Sequence, residues 1–202
     1  MSRLPKIRVW DPLVRLFHWS LVVGFVTAYL SQEEYLALHT WAGYLIAALV
    51  LWRSIWGVVG PDTARFAGFV RSPATVWRYL KDSLALRARR YLGHNPAGGA
   101  MIVLLLTSLG LTTLSGMGIY GLGDHAGPLA LLGKINTETG FIWQERLEEV
   151  HEFLAHFTVL LIAIHITGVV VESILHRENL VRAMVDGRKR ATRIDLQQES
   201  KI

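Results

Sequence analysis

The sequence predicts an all-α integral membrane protein, a bundle of four transmembrane helices with an amphipathic cytoplasmic helix between the second and third. Three observations lead there. The chain has 202 residues, 51% hydrophobic and only 18% charged, whereas soluble domains average about 25% charge. Its apolar residues gather into four long runs. Its basic residues, which carry a net +5, crowd into alternate connectors. The whole chain, 1–202, reads as one domain. Its hydrophobicity excludes disorder. The absence of cysteine excludes disulfide scaffolds, thiolate zinc sites, iron–sulfur clusters and haem attached through C-x-x-C-H.

The four runs span about 13–30, 36–59, 97–120 and 150–171. Each is near the ~20 residues that cross a ~30 Å hydrocarbon core as a helix. None alternates with the period of two that a barrel strand requires. The first run follows Arg3, Lys6 and Arg8 as a signal peptide would. It is too long for such a segment, holds a histidine at its centre and lacks a clean small-residue cleavage site, so it reads as an uncleaved span.

Residues 73–92 place Trp77, Leu80, Leu84 and Tyr91 on one stripe among arginines, behind a Ser72–Pro73 helix start. That pattern predicts a helix lying on the membrane surface. Residues 121–149 read as a long loop, acidic toward its end, capping the outer face. After the fourth span comes a tail over about 174–202, with a short helix predicted from Glu178 to Val185 and Gly187 as its stop.

Loop charge sets the expected orientation. Arg3, Lys6, Arg8 and Arg15 precede or enter the first span. Arg53, Arg65, Arg71, Arg78, Lys81, Arg87, Arg89 and Arg90 surround the second connector. Arg177, Arg182, Arg188, Lys189, Arg190, Arg193 and Lys201 lie in the tail. Only Lys134 and Arg146 fall on the opposite side, beside Glu33, Glu34, Asp124, Glu138, Glu145, Glu148, Glu149 and Glu152. The positive-inside rule then puts both termini in the cytoplasm. The basic balance is therefore one of topology, and no nucleic-acid partner is expected.

Histidines within spans are functional candidates by default. They stand at His18, His39, His151, His156 and His165. His151 and His165 are fourteen positions apart, which at ~100° per residue puts them within ~40° on one face. His156 falls roughly 140° off that face. Depth pairs His18 with His165 near the inner boundary and His39 with His151 near the outer one. Two such pairs suit two bis-histidine haems. Gly43, one turn beyond His39, leaves room for a flat macrocycle, and Gly24 and Gly168 are candidates for the same role. Zinc would lack two of its four ligands. A histidine proton relay or plain interhelical hydrogen bonding stays open at this point.

Several motifs carry a family resemblance. Phe17-His18-Trp19, Leu38-His39-Thr40-Trp41-Ala42-Gly43, Val150-His151-Glu152 and Ile164-His165 resemble the bacterial cytochrome b561 family, and also the b-type cytochrome subunits of membrane nickel–iron hydrogenases. Gly93-His94-Asn95-Pro96 and the tail His176-Arg177-Glu178-Asn179-Leu180-Val181 are similar to the same superfamily. The likeness runs from about Arg8 to Arg190. It implies a diheme membrane protein, embedded in lipid, that moves electrons between a quinone and a second redox partner. His18 and His165 would ligate the inner haem iron, and His39 and His151 the outer. Both haems would be non-covalent and b-type.

Filled axial positions favour outer-sphere electron transfer over oxygen chemistry. The expected function is transfer between the quinone pool and a periplasmic partner. The acidic outer face would steer a basic one such as a cytochrome c, or another redox subunit would dock there. Two alternatives stand beside it: a superoxide oxidase (superoxide:ubiquinone oxidoreductase) and a haem-bearing anchor of a hydrogenase or dehydrogenase. Arg8 and Arg15 are candidates to pair with haem propionates, and His94 with a propionate or a quinone. His156 is expected to be a packing residue or to support a ligand, and His125 and His176 to be solvated.

Overall fold

A computed structural model describes residues 5–32, 34–134 and 137–191. Arg3, Glu33, Arg193 and Lys201 of the charge pattern, and the tail beyond 191, lie outside them. The order is β1 (Lys6–Arg8), α1 (Pro12–Ser31), α2 (Leu36–Val59), α3 (Pro73–Leu84), α4 (Pro96–Gly123), α5 (Thr137–Leu175), α6 (Leu180–Asp186) and β2 (Arg188–Arg190), with 3-10 turns at Phe66–Gly68 and Ala130–Lys134. The architecture is all-α. Helices α1, α2, α4 and α5 are long and apolar enough to cross a membrane.

Three of these helices start the same way, with proline in the first turn behind an oxygen-bearing cap. Asp11 accepts from the amides of Leu13 (2.8 Å) and Val14 (3.1 Å), Ser72 from Thr75 (3.4 Å) and Asn95 from Gly98 (2.6 Å). Proline costs nothing there because its missing N–H has no intrahelical partner, and the cap oxygen satisfies a free donor. Asn179 does the same for α6, accepting from Arg182 at 2.7 Å, and Gly187 ends that helix at φ 78°.

Two boundaries depart from the sequence reading. The surface helix ends at Leu84 rather than near 92. Leu86 turns left-handed at φ 56°, and the amides of Leu86 and Arg87 bond back to the carbonyls of Ser83 and Asp82. That closes a Schellman end without glycine. The fourth long helix begins at Thr137, so most of the expected outer loop is helical. Glu138 in its first turn suits the helix dipole. Gln144–Glu148 and Arg146–Glu149 contacts, both 3.0 Å, brace the next turns. At ~1.5 Å per residue, its 39 residues run well beyond a hydrocarbon core.

The chain divides into two compact units. One comprises 17–54 and 101–164. Its core is Ala28, Ala42, Ile46 and Leu109, with Leu21, Phe25 and Val50 against them. Thr158 is fully buried and shares a 2.7 Å hydrogen bond with Ser108, which ties α5 to α4. Large apolar side chains such as Leu30, Trp41, Leu51 and Phe153 point outward, which carries no penalty where the solvent is lipid.

The other unit comprises 1–16, 55–100 and 165–202. Here β1 and β2 pair antiparallel, with Ile7 opposite Lys189. Tyr79 of α3 is buried while Trp77, Leu80 and Leu84 remain exposed. Helix α3 is thus amphipathic, held by a tyrosine and presenting an apolar stripe flanked by Arg78 and Lys81.

Candidate functional site

The best-defined site lies in the first unit, where α2 and α5 each contribute an imidazole. The rings of His39 and His151 have centres 6.0 Å apart and planes inclined at 70°. Backbone carbonyls fix both. His39 Nδ1 lies 2.8 Å from the Ala28 carbonyl of α1, and His151 Nδ1 lies 2.9 Å from the Thr112 carbonyl of α4. A carbonyl only accepts, so each Nδ1 carries a proton, and Nε2 is the nitrogen that remains for a metal in the neutral ring. Ser115 Oγ sits 3.1 Å from the same Nδ1 of His151 and donates to the Thr112 carbonyl.

Such second-sphere bonds are what orient histidines that bind metal. Two imidazoles gripping one metal ion from opposite sides, each through a bond of about 2 Å, hold their ring centres ~6 Å apart. The observed spacing fits a single iron between them. Room beside the pair comes from glycine. A Cβ on Gly43 would meet nothing within 4 Å, and one on Gly116 would lie 3.0 Å from His151 Cε1. Among the described residues no cluster of three metal-binding side chains occurs. A two-imidazole site therefore suits iron whose other ligands come from a macrocycle.

The remaining predicted residues fall as follows. His18 of α1 belongs to the same unit, half-buried, with Trp19 edge-on at 5.2 Å. His165 of α5 belongs to the other unit and is also half-buried. Gly168, on the same helix, faces open space. Gly24 does not: a Cβ there would touch Ile46 at 3.4 Å, so it serves helix packing.

His156 is not a packing residue: it is exposed, with Nδ1 on the Glu152 carbonyl of its own helix, five positions and so roughly 140° round the helix from His151. His176 is not solvated, since it is mostly buried and its Nε2 lies 3.2 Å from Glu172.

His94 is clasped between Trp10 (4.4 Å) and Phe69 (4.5 Å) and lines a cavity of about 330 Å³ with Arg8, Arg71 and Tyr91. Arg15 donates to the Val185 carbonyl, so it fastens α1 to the end of α6.

Sequence reasoning missed three features. Arg53, counted with the inner-side charges near the end of the second span, is 2% exposed within α2. The carbonyls of Ala28 and Thr112 have no sequence signature at all. The third is a buried polar cluster around Glu172. Tyr79 donates to both of its carboxylate oxygens at 3.0 Å, and Ser83 donates to it at 3.2 Å. Burial, reinforced by the Glu172 charge, pushes the Tyr79 phenol well above its ordinary range. Arg90 and Lys189 close on Glu178 beside it, and burial lowers the Lys189 ammonium despite that carboxylate.

Four membrane-length helices carrying an imidazole pair with both tautomers fixed define a membrane cytochrome of the b type. The chain belongs to the prokaryotic cytochrome b561 family, whose model matches residues 9–187. It is 28% identical over 211 residues to a probable Ni/Fe-hydrogenase B-type cytochrome subunit of Azotobacter vinelandii, covering 90% of this chain and 87% of that one. Proteins of the same description from Cupriavidus necator (25%, covering 89% and 85%) and Rhodobacter capsulatus (23%, covering 94% and 83%) are also similar. No solved structure matches. The protein is thus a multi-pass membrane cytochrome that carries b-type haem and transfers electrons.

Proposed function

We propose that the chain acts as one diheme domain carrying electrons across the bacterial inner membrane, between the quinone pool and a redox partner on the periplasmic side. The observation that carries this reading is the His39–His151 pair, 6.0 Å apart with both Nδ1 atoms engaged by carbonyls. His39 and His151 hold the outer haem iron, and His18 and His165 the inner. Gly43, where a Cβ would meet nothing within 4 Å, would leave room for the macrocycle.

The haems supply reversible one-electron storage in iron. The protein does the rest. The carbonyls of Ala28 and Thr112 orient both imidazoles through Nδ1, and a haem iron held by two histidines would have no site left for oxygen. The core around Ala28, Ala42, Ile46 and Leu109 keeps water away. Arg53, buried in its span, offers positive charge for propionates, a role that Arg15 is less free to play.

The basic connectors support a topology with both termini in the cytoplasm. The outer end of α5 carries Glu138, Glu145, Glu148, Glu149 and Glu152, which attract a basic docking partner such as a cytochrome c. An acidic approach disfavours an anion such as superoxide, so oxidation of superoxide ranks lower. Similarity to Ni/Fe-hydrogenase B-type cytochrome subunits favours a second reading, in which that outer face receives a hydrogenase-like redox subunit.

The test is reconstitution in quinone-containing liposomes. Haems reduced by a ubiquinol analogue and reoxidised by external cytochrome c support the first reading. Copurification with a redox enzyme and no oxidation by cytochrome c supports the second. Failure of the haems to exchange electrons with quinol overturns the quinone role in both.

A further inference from the structure

The electron-transfer reading leaves unused a mostly buried cluster of charged side chains around Glu172. Glu172 is seven positions beyond His165, which at ~100° per residue returns it to within ~20° of the same face of α5. It lies ~10 Å further along the axis. Its carboxylate is 14% exposed and is met by Tyr79 and Ser83 of α3 and by His176 of its own helix.

The other charges near it are Glu178, Arg90 and Lys189, with side-chain exposures of 15%, 20% and 7%. Arg90 and Lys189 balance Glu172 and Glu178. With His176 neutral, the cluster is formally uncharged. Tyr79 only donates, because its phenol is held protonated. One basic group of the cluster enters neither side of that balance, His176, whose imidazole can accept a proton and whose Nε2 lies 3.2 Å from Glu172 Oε2.

We propose that the Glu172–His176 pair takes up a proton when the haem held by His165 is reduced. The step balances. One electron from the donor enters the iron, one proton passes from bulk water to His176, and this end of the protein gains no net charge. His176 lies eleven positions beyond His165, ~16 Å along the axis, and at an effective dielectric near 20 an electron at that separation raises its proton affinity about fivefold. By linkage, proton binding favours the electron equally. The midpoint potential of that haem therefore falls as pH rises, by about 40 mV between the two limbs for a fivefold coupling. This inference rests on His165 as a ligand of the inner haem.

The experiment is a spectroscopic redox titration of the full-length, haem-loaded protein across pH 5–9, for the wild type, His176→Gln and Glu172→Gln. One of the haems should show the pH-dependent potential in the wild type. His176→Gln should abolish it, and Glu172→Gln should move its midpoint to lower pH, since protonated His176 loses its counter-ion. A wild-type potential independent of pH, or a slope that survives in His176→Gln, overturns the proposal.

Proton uptake on reduction, read with a pH-indicator dye on the wild type alone, decides the matter if the variants do not assemble. Uptake is expected, and none would sink the idea. Haem content separates the two levels. If His165→Ala keeps both haems, the ligand assignment has failed. If it loses one while the wild type shows no pH dependence, only the proton coupling has failed.

Discussion

The imidazoles of His39 and His151 face each other at 6.0 Å, and each is held by a main-chain carbonyl from a third or fourth helix. Neither carbonyl belongs to the helix of the histidine it orients. The geometry of the pair is therefore a property of α1, α2, α4 and α5 together, and disturbing any of these helices near it should register at the iron.

Gly116 gives one way to disturb it. A Cβ there would sit 3.0 Å from His151 Cε1, so Gly116→Val should push the ring off its carbonyl. Loss of a supporting interaction of this kind costs roughly 10–100-fold in metal affinity. The outer haem should be depleted on dilution or haem competition, with the helical circular dichroism intact. Unchanged haem affinity would count against the site.

Gly43 gives a complementary one, since it faces open space. Gly43→Phe should fill that space and lower outer-haem occupancy. Gly24→Ala, at a position already packed on Ile46, should leave the haem content unchanged. Equal haem loss in both variants would show a packing effect rather than a macrocycle seat.

Tyr79→Phe removes the donor that both oxygens of Glu172 share and should cost about 1–3 kcal/mol. The sign with pH is definite. Because the folded-state phenol titrates above its ordinary 10.0, its contribution is complete below pH 10 and disappears as pH rises through the folded value. Thermal unfolding of the wild type should thus fall off above pH 10, and the fall should be shallower in Tyr79→Phe. Parallel pH profiles would refute the assignment.

The absence of native cysteine makes topology directly measurable. Arg87→Cys should be shielded from a membrane-impermeant maleimide in intact cells, and Glu145→Cys should be labelled. The reverse pattern would invert the orientation and with it the side of the docking partner.

What the sequence revealed and concealed follows from the range of the forces involved. The four apolar helices were legible because lipid demands a continuous run, and composition alone reports it. The His39–His151 pairing was legible because helical periodicity and depth are arithmetic on residue numbers. The outer third of α5 was not, since Glu138 to Glu149 form a helix through dipole and neighbour contacts rather than an apolar stripe. The end of α3 at Leu86 was hidden because a leucine there takes the turn a glycine would announce. The carbonyls of Ala28 and Thr112 could not be read at all, being main-chain groups supplied by folding. Glu172 drew no reading from the sequence because its partners, Tyr79 and Ser83, lie about ninety residues away in the chain.

The central claim is that four histidines hold two haems. Pyridine haemochrome quantification of the purified wild type and of the single His39, His151, His18 and His165 alanine variants tests it most directly. The account predicts two b-type haems per chain in the wild type, close to one in each variant, and two in His156→Ala. A wild type with one haem, or a His151→Ala variant that retains two, would contradict it.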